Sequence, residues 1–397
     1  MALNTVSSDR LSTNVKNTNF TAAEKQDLTD DILPLAGQLG NRNLIINGAM
    51  QVAQRGTTYT GANQFTTVDR FSINHTGLNE DLTTAQADIS SGTTPYTSGF
   101  KKSFKITNGN QSAGAGSGDH IYISQKIEAQ NIATSGWNYT STSSNVSFSF
   151  WVKSSVAQNF YGYLLTKDGT TYLYPFETGS LSADTWTKVT KTIPGNSGLQ
   201  FDMNTNTGLE IVIAPFFGTD KTGSVSLNAW GAYNSSVRMP DNTSTWYTTN
   251  DATFEITGVQ LEVGSVATDF EHRSFGQELA LCQRYFYKTY RQGVAPGTDD
   301  TTDLISKRNE MSASRTDMVL NIAYSVPMRA TPTIVGYSKA GNSNKFLITG
   351  IDYSGGSEGT FAGTVYRGRK YLNQLSAGTT VPSGSYAHFH FTADAEL

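Results

Sequence analysis

The chain has 397 residues, which at roughly 150 residues per domain allows two or three domains and a sizeable core. Charged residues make up only 16% of the chain, against about a quarter in average proteins, and the formal net charge is −4. Because no dense basic run exists to collect phosphates, we expect no nucleic-acid binding, and the single cysteine, Cys282, excludes an internal disulfide framework.

The beginning of the chain carries no recognisable targeting signal. It lacks a basic segment followed by an apolar one, and nowhere do about 18 apolar residues run together. We therefore expect neither export through a signal peptide nor insertion into a membrane.

Residues 1–40 differ in composition from the rest and predict a short helical segment. Thr21 and Glu24 have the spacing of a capping box, in which each side chain satisfies the backbone N–H of the other. A narrow apolar stripe follows at near-helical spacing, formed by Leu28, Ile32 and Leu35. Such a thin stripe cannot build its own core, so we interpret this segment as an attachment or oligomerisation segment, the alternative being a frayed tail.

The next region, residues 41–273, has the two-residue period of β-strands bounded by turn residues, which predicts a β-sandwich. The best example alternates four apolar residues with polar neighbours: Val146, Phe148, Phe150 and Val152. In the strand near residues 253–264 the alternation slips by one residue at Gly258, which predicts a β-bulge that keeps both halves facing the core.

The remaining chain divides into a helix and a second β region. Ser274 and Gln277 form another capping box, and apolar residues at three- and four-residue spacing then predict a linker helix within residues 274–288. Short alternating segments fill residues 289–397 and predict a smaller C-terminal β domain. The expected fold class is therefore mainly β.

Several stretches resemble a jelly-roll module of bacteriophage tail-fibre and other virion appendage proteins, and a C-terminal domain that often accompanies it. The residues that carry this resemblance are Asn43–Gly56, Asp69–Phe71, Phe254–Gly264, Phe270–Arg273, Cys282–Tyr285, Pro327–Thr333 and Ala393–Leu397. They occur in the expected order and cover most of residues 43–397.

The resemblance implies a structural protein of the virion, usually a homotrimer. Its N-terminal segment would contact other virion proteins, and its distal β domains would meet the host surface. Because the jelly-roll module also resembles carbohydrate-binding modules, the implied ligand is a host surface glycan or another receptor.

A sugar site requires flat aromatic faces and nearby polar side chains on loops at a sandwich edge. Trp246 and Tyr247 lie in a polar stretch, residues 241–251, so we expect at least one of these rings to face solvent. Trp137 and Tyr139 form a second candidate pair. The alternative for all four is packing at the sandwich edge or against a neighbouring subunit. Trp151, Trp186 and Trp230 are interpreted as packing residues or contacts with a neighbouring subunit.

Two histidines near the end of the chain form the candidate metal site. His388 and His390 flank Phe389 on a predicted strand, so both imidazoles point to one face. If that strand lay on the axis of a trimer, three copies would present six nitrogens to an octahedral transition metal. The alternative is solvated or interface histidines, and the sequence implies no cofactor.

No motif in the sequence indicates a catalytic site. Known nucleophile and zinc-protease motifs are absent, and alternation places Glu255 and Glu262 on a polar, solvated strand face. We therefore expect a non-enzymatic trimeric tail-fibre or spike subunit that adheres to the host surface. One alternative is a purely structural head-decoration or adaptor protein of the virion, and a second is a polysaccharide depolymerase that uses a carboxylate pair.

Overall fold

A computed structural model describes residues 41–350 and 356–397 of the chain. The prediction of a mainly β fold with antiparallel sheets is confirmed. The described residues form these strands, in chain order: β1 (Thr58–Thr60), β2 (Ser72–Thr76), β3 (Thr83–Asp88), β4 (Lys102–Thr107), β5 (His120–Glu128), β6 (Asn145–Ser154), β7 (Asn159–Thr166), β8 (Tyr172–Ser180), β9 (Thr187–Pro194), β10 (Thr207–Phe217), β11 (Gly231–Ala232), β12 (Thr253–Val263), β13 (Phe286–Lys288), β14 (Ile305–Arg308), β15 (Arg315–Ala323), β16 (Thr333–Tyr337), β17 (Lys345–Thr349), β18 (Ser357–Arg367), β19 (Tyr371–Val381) and β20 (Tyr386–Asp394). The helices of the same residues are α1 (Thr94–Thr97), α2 (Ala129–Ala133), α3 (Thr245–Thr248) and α4 (Phe275–Gln283). The helical segment expected in residues 1–40 lies outside the described residues.

Two six-stranded antiparallel sheets form the sandwich. The first has the order β1-β3-β4-β12-β6-β9 and the second β11-β8-β7-β10-β5-β2, so the chain crosses repeatedly between the sheets. Their inner faces build one core, in which the alternating residues of β6 are fully buried: Val146, Phe148, Phe150 and Val152. Burial of one apolar face from each sheet is the main stabilising contribution of this architecture.

The bulge predicted in β12 is present at Gly258. The register between β12 and β6 shifts between Thr257 and Gln260, and Gly258 has a φ of 61°. A side chain at this position would meet the ring of Phe100, since an added Cβ atom would lie 2.7 Å from its Cζ atom. Glycine is therefore required here both by the left-handed backbone and by the lack of space.

Strand β20 organises the C-terminal sheet. It pairs with β13, β14, β16 and β17, while β18, β19 and β15 continue the sheet beyond β17. Its apolar side chains Phe389 and Phe391 are buried in a second core together with Phe346 and Leu372.

The two histidines of β20 are buried rather than solvated. His388 forms hydrogen bonds through Nδ1 with Ser306 Oγ at 2.6 Å and through Nε2 with Thr349 Oγ1 at 2.8 Å. His390 contacts Thr289 Oγ1 at 3.1 Å and stacks on Tyr290 at 3.9 Å between ring centroids. Burial lowers the pKa of both histidines.

A buried charge network joins the sandwich to the end of β20. Arg55 Nη2 lies 2.9 Å from Asp394 Oδ2 and 3.4 Å from Glu396 Oε1, and Arg70 pairs with Glu396. Arg70 and Glu396 are almost completely buried, so the attraction between their charges is screened little by solvent.

A second set of contacts closes the same junction beside helix α4. Arg284 holds Glu128, at the end of β5, through two hydrogen bonds of 2.7 Å, and the Tyr285 hydroxyl donates a third of 2.6 Å. Burial alone would raise the pKa of Glu128, but these hydrogen bonds lower it. Arg329 donates to the carbonyl of Thr205 in the sandwich and to those of Ala395 and Glu396. Residues 43–397 accordingly form one compact unit.

We predict that Gly258→Ala lowers the free energy of unfolding by roughly 1–3 kcal/mol, since it adds left-handed strain and a contact with Phe100. Urea denaturation followed by tryptophan fluorescence measures the difference. The matched control is Gly231→Ala, where an added Cβ atom would have no neighbour within 4 Å. Equal stability of the two variants would show that the bulge does not need glycine.

We also predict that acidification destabilises the protein through His388 and His390. Because their folded pKa values lie below the unfolded value of about 6.5, their contribution is complete above pH 6.5 and is lost as the pH falls through the lowered values. Urea denaturation between pH 7.5 and 5.0 should therefore have a steeper pH dependence in the wild type than in the double variant His388→Gln, His390→Gln. Parallel pH profiles would contradict this prediction.

Candidate functional site

The outer face of the first sheet carries an open groove of about 750 Å³. Its floor comes from β6, β9 and β12, and two segments outside the strands form its walls. The lining residues are Thr97, Ser98, Gly99, Phe100, Ser149, Trp151, Lys188, Gly258, Thr268, Asp269, Phe270 and His272. We call this feature the Trp151 groove.

The floor depends on the pairing of β6 with its neighbours. Trp151 lies directly opposite Lys188 of β9 and opposite Thr257 of β12, next to the bulge. Lys153, two residues further along the same face, places its ammonium 5.2 Å from the ring centroid of Trp186. The floor is therefore lined by one indole ring, Trp151, and one lysine, Lys188, both on paired strands, with Lys153 and Trp186 beside it.

One wall is the segment after β12, which folds back over the outer face of that strand. Glu262 accepts hydrogen bonds from the Thr268 backbone N–H at 2.8 Å and from its hydroxyl, and the Glu271 N–H donates to Gln260. The expectation that Glu255 and Glu262 occupy a solvated face is therefore wrong. Both carboxylates are buried, and Glu255 pairs with Lys153 at 3.0 Å and accepts from Ser103 at 2.7 Å.

The walls meet through three aromatic rings. His272 Nε2 lies 3.0 Å from the carbonyl of Ser98 in the opposite wall. Phe270 contacts both Phe100 and His272 at 4.9 Å between centroids. These contacts leave Trp151 and Phe270 half-buried and His272 exposed.

The composition of the Trp151 groove suits a ligand that is apolar on its faces and polar at its edges. The half-buried rings can cover C–H surface, and the exposed Lys188 and Asp269 can exchange hydrogen bonds with hydroxyl groups. Asp269 is the one carboxylate among the lining residues, so the groove holds no pair of carboxylates to divide acid and base roles.

Trp246 and Tyr247 do not face solvent, and the expectation that one of them does is wrong. Both are fully buried in the sandwich core, and Tyr247 packs on Phe216 with 4.4 Å between centroids. Their polar atoms also have partners, since Trp246 Nε1 donates to the Thr253 carbonyl and the Tyr247 hydroxyl to Asp119. Although the surrounding sequence is polar, helix α3 turns both rings inward, so neither ring face can stack on a ligand.

Trp137 and Tyr139 likewise pack on the sandwich. Trp137 is 3% exposed and donates from Nε1 to the Ser144 carbonyl, while Tyr139 is partly buried and meets the edge of Phe201 at 5.0 Å. Only part of the Tyr139 ring is left for a ligand.

The remaining predicted site residues offer no assembled site. Both ring nitrogens of His388 and of His390 are already hydrogen-bonded, and the described residues contain no group of three or more His, Cys, Asp or Glu arranged to hold a metal. Leu28, Ile32 and Leu35 lie outside the described residues. Among the helices of the described part of the chain, none has the length and apolar character needed to cross a membrane.

Trp151 packs against the buried cluster of Ala49, Ile89 and Phe100, as the packing interpretation predicted, but it also lines the groove, which sequence reasoning missed. A signal was present, because Trp151 alternates with the buried residues of β6 and shares its face with Ser147, Ser149 and Lys153. A large aromatic residue on the polar face of a strand is a candidate for ligand contact.

Comparisons with known proteins assign the chain to no family. No family model matches the chain, and no curated protein matches it. One similar solved structure is the enzymatically active domain of tailspike protein 4 of bacteriophage CBA120, with 12% identity and a TM-score of 0.30, over 56% of this chain and 21% of that chain. The cellulose-binding domain of a Cellulomonas fimi β-1,4-glucanase has 9% identity and a TM-score of 0.25, over 49% and 90%. A family 11 carbohydrate-binding module from Clostridium thermocellum has 11% identity and a TM-score of 0.23, over 55% and 99%.

Proposed function

We propose that this chain is a non-enzymatic subunit of a virion appendage, of the tail-fibre or spike kind, and that it adheres to a saccharide of the host surface through the Trp151 groove. The observation that carries the ligand class is the half-exposed indole of Trp151 on an otherwise polar strand face, beside Lys188 and Asp269. The virion assignment is supported by the resemblance of residues 43–397 to appendage modules.

In this proposal residues 1–40 attach the subunit to other virion proteins, with Leu28, Ile32 and Leu35 as the contact stripe. Residues 41–273 are the glycan-binding jelly roll, residues 274–288 the linker, and residues 289–397 a distal β domain. The subunit is a homotrimer. Several weak sites that engage one surface together bind far more tightly than any single site, so adhesion needs no high affinity per groove.

We predict that Trp151→Ala weakens saccharide binding about tenfold or more, because it removes the flat surface on which a sugar ring would stack. An array of bacterial surface saccharides identifies the best-bound oligosaccharide, and calorimetric titration of that oligosaccharide measures the affinity. Tyr371→Ala is the matched control, because Tyr371 is 47% exposed but lies in the C-terminal sheet. A folded Trp151→Ala variant that binds like the wild type would contradict the proposed site.

The second candidate function is a polysaccharide depolymerase, and one observation favours it. A cavity of about 660 Å³ at the junction of the sandwich and the C-terminal sheet is lined by both Asp394 and Glu396. One nitrogen of Arg55 contacts both carboxylates, so they lie side by side. Against this function, Glu396 is also paired with Arg70 and is only 5% exposed, which suits a structural ion pair better than a proton donor.

We predict no release of reducing ends when the wild type is incubated with host surface polysaccharide. If reducing ends are released, Asp394→Asn should abolish the release while the fold is kept, because Asp394 is the more exposed of the two carboxylates. If the wild type releases reducing ends and Asp394→Asn does not, the protein hydrolyses the polysaccharide, and the proposal of a non-enzymatic subunit is contradicted.

A further inference from the structure

The outer face of the second sheet carries a separate aromatic cluster, on the opposite side of the sandwich from the Trp151 groove. Strands β5, β7 and β10 contribute Tyr122, Tyr161, Tyr163 and Phe217, and the segment between β10 and α3 adds Tyr233. Tyr163 and Phe217 are buried, whereas the other three are half-buried. This face is therefore partly covered but keeps three tyrosine side chains accessible.

Three rings of this face lie nearly parallel. Phe217 stacks with Tyr122 at 5.3 Å and 15° and with His120 at 5.4 Å and 20°. Tyr122 and His120 lie 5.5 Å apart. Phe217 is buried at the centre of this aromatic surface, whereas Tyr122 and His120 are half-buried and leave part of their rings accessible to a sugar ring.

Arg238 lies over this surface without a carboxylate partner. Its guanidinium carbon is 5.9 Å from the ring centroid of Phe217 and 5.8 Å from that of Tyr233, and Tyr163 is a hydrogen-bond partner. The Arg238 backbone N–H is fixed by the Lys221 carbonyl at 2.8 Å, and Nε donates to the Ser235 carbonyl. Within residues 41–350 and 356–397, no acidic side chain forms an ion pair with this arginine.

Basic side chains lie near this surface. Burial lowers the pKa of His120; a hydrogen bond to the Gly118 carbonyl opposes that effect, and the positive charges of Arg238 and Lys221 reinforce it. Two acidic side chains of the same region have partners of their own, since Glu210 pairs with Lys167 at 3.0 Å and Asp241 accepts from Thr222 at 2.6 Å. A half-buried guanidinium that no carboxylate neutralises is a favourable site for an anion.

We propose that this face binds an acidic saccharide, with the carboxylate of a uronic acid on Arg238 and the sugar ring on Tyr122 and His120. The guanidinium fork matches a carboxylate in two parallel hydrogen bonds, and the tyrosine hydroxyls of Tyr161 and Tyr233 can pair with ring hydroxyls. The inference rests on the proposed function for its ligand class, but it concerns different residues from the Trp151 groove and adds a requirement for negative charge. Each subunit would then hold two saccharide sites on opposite sheets.

The test compares trigalacturonic acid with its methyl ester, in which each carboxylate is replaced by a neutral and slightly larger ester group. Calorimetric titration of the full chain should give about tenfold tighter binding of the acid. Arg238→Gln should abolish this preference, Arg238→Lys should keep part of it, and Tyr371→Ala, in the C-terminal sheet and outside both sites, should leave it unchanged. Because Arg238 lies in a surface segment, thermal melting should show all three variants folded.

The outcomes separate this inference from the proposed function. Equal binding of acid and ester by the wild type, or a preference that survives Arg238→Gln, overturns the acidic site even if Trp151→Ala weakens binding of a neutral saccharide. Inorganic phosphate that displaces trigalacturonic acid at equal concentration would also overturn it, because the face would then be a general anion site. If Arg238→Gln abolishes the preference for the acid but Trp151→Ala weakens binding of no saccharide on the array, the Trp151 groove fails as the proposed site and the acidic site stands.

Discussion

The left-handed backbone at Gly258 is the constraint on which the sandwich and its groove both depend. Strand β12 lies at the centre of the first sheet, between β4 and β6, and supplies core residues on both sides of the bulge. Without the extra residue, one half of the strand would turn its apolar side chains outward. The same glycine leaves room for Phe100, whose ring then contacts Phe270 and fixes one wall of the groove against the other.

Local features were predictable from the sequence because few residues determine them. The two-residue period of β6 identified the buried face, and the slip at Gly258 identified the bulge before any partner strand was known. The capping box at Ser274 formed as predicted, with Gln277 returning the hydrogen bond, because both partners lie within one helical turn. These three patterns, the alternation of apolar residues, the position of a glycine and a helix cap, depend only on the conformation of residues close together in the sequence.

The candidate sites were not predictable in the same way, because chain segments distant in sequence build them. Trp246 and Tyr247 lie in a polar stretch, yet α3 turns both into the core. Trp151 faces a groove only because the segments near Ser98 and Phe270 stop short of covering it. The polarity of the neighbouring residues therefore did not predict which aromatic side chains are exposed. Ser and Thr residues of this protein occur in buried strands as well as on loops.

The ion pairs at the end of β20 have a mechanical consequence for the junction between the sandwich and the C-terminal sheet. Pulling the C-terminal sheet away from the sandwich would expose Arg70 and Glu396 together and break the contacts of Arg329 and Arg284 at the same moment. Several bonds loaded in parallel resist force better than the same bonds loaded one after another. When force is applied to one end of residues 43–397, the junction should therefore stay intact, and another part of the chain should unfold first.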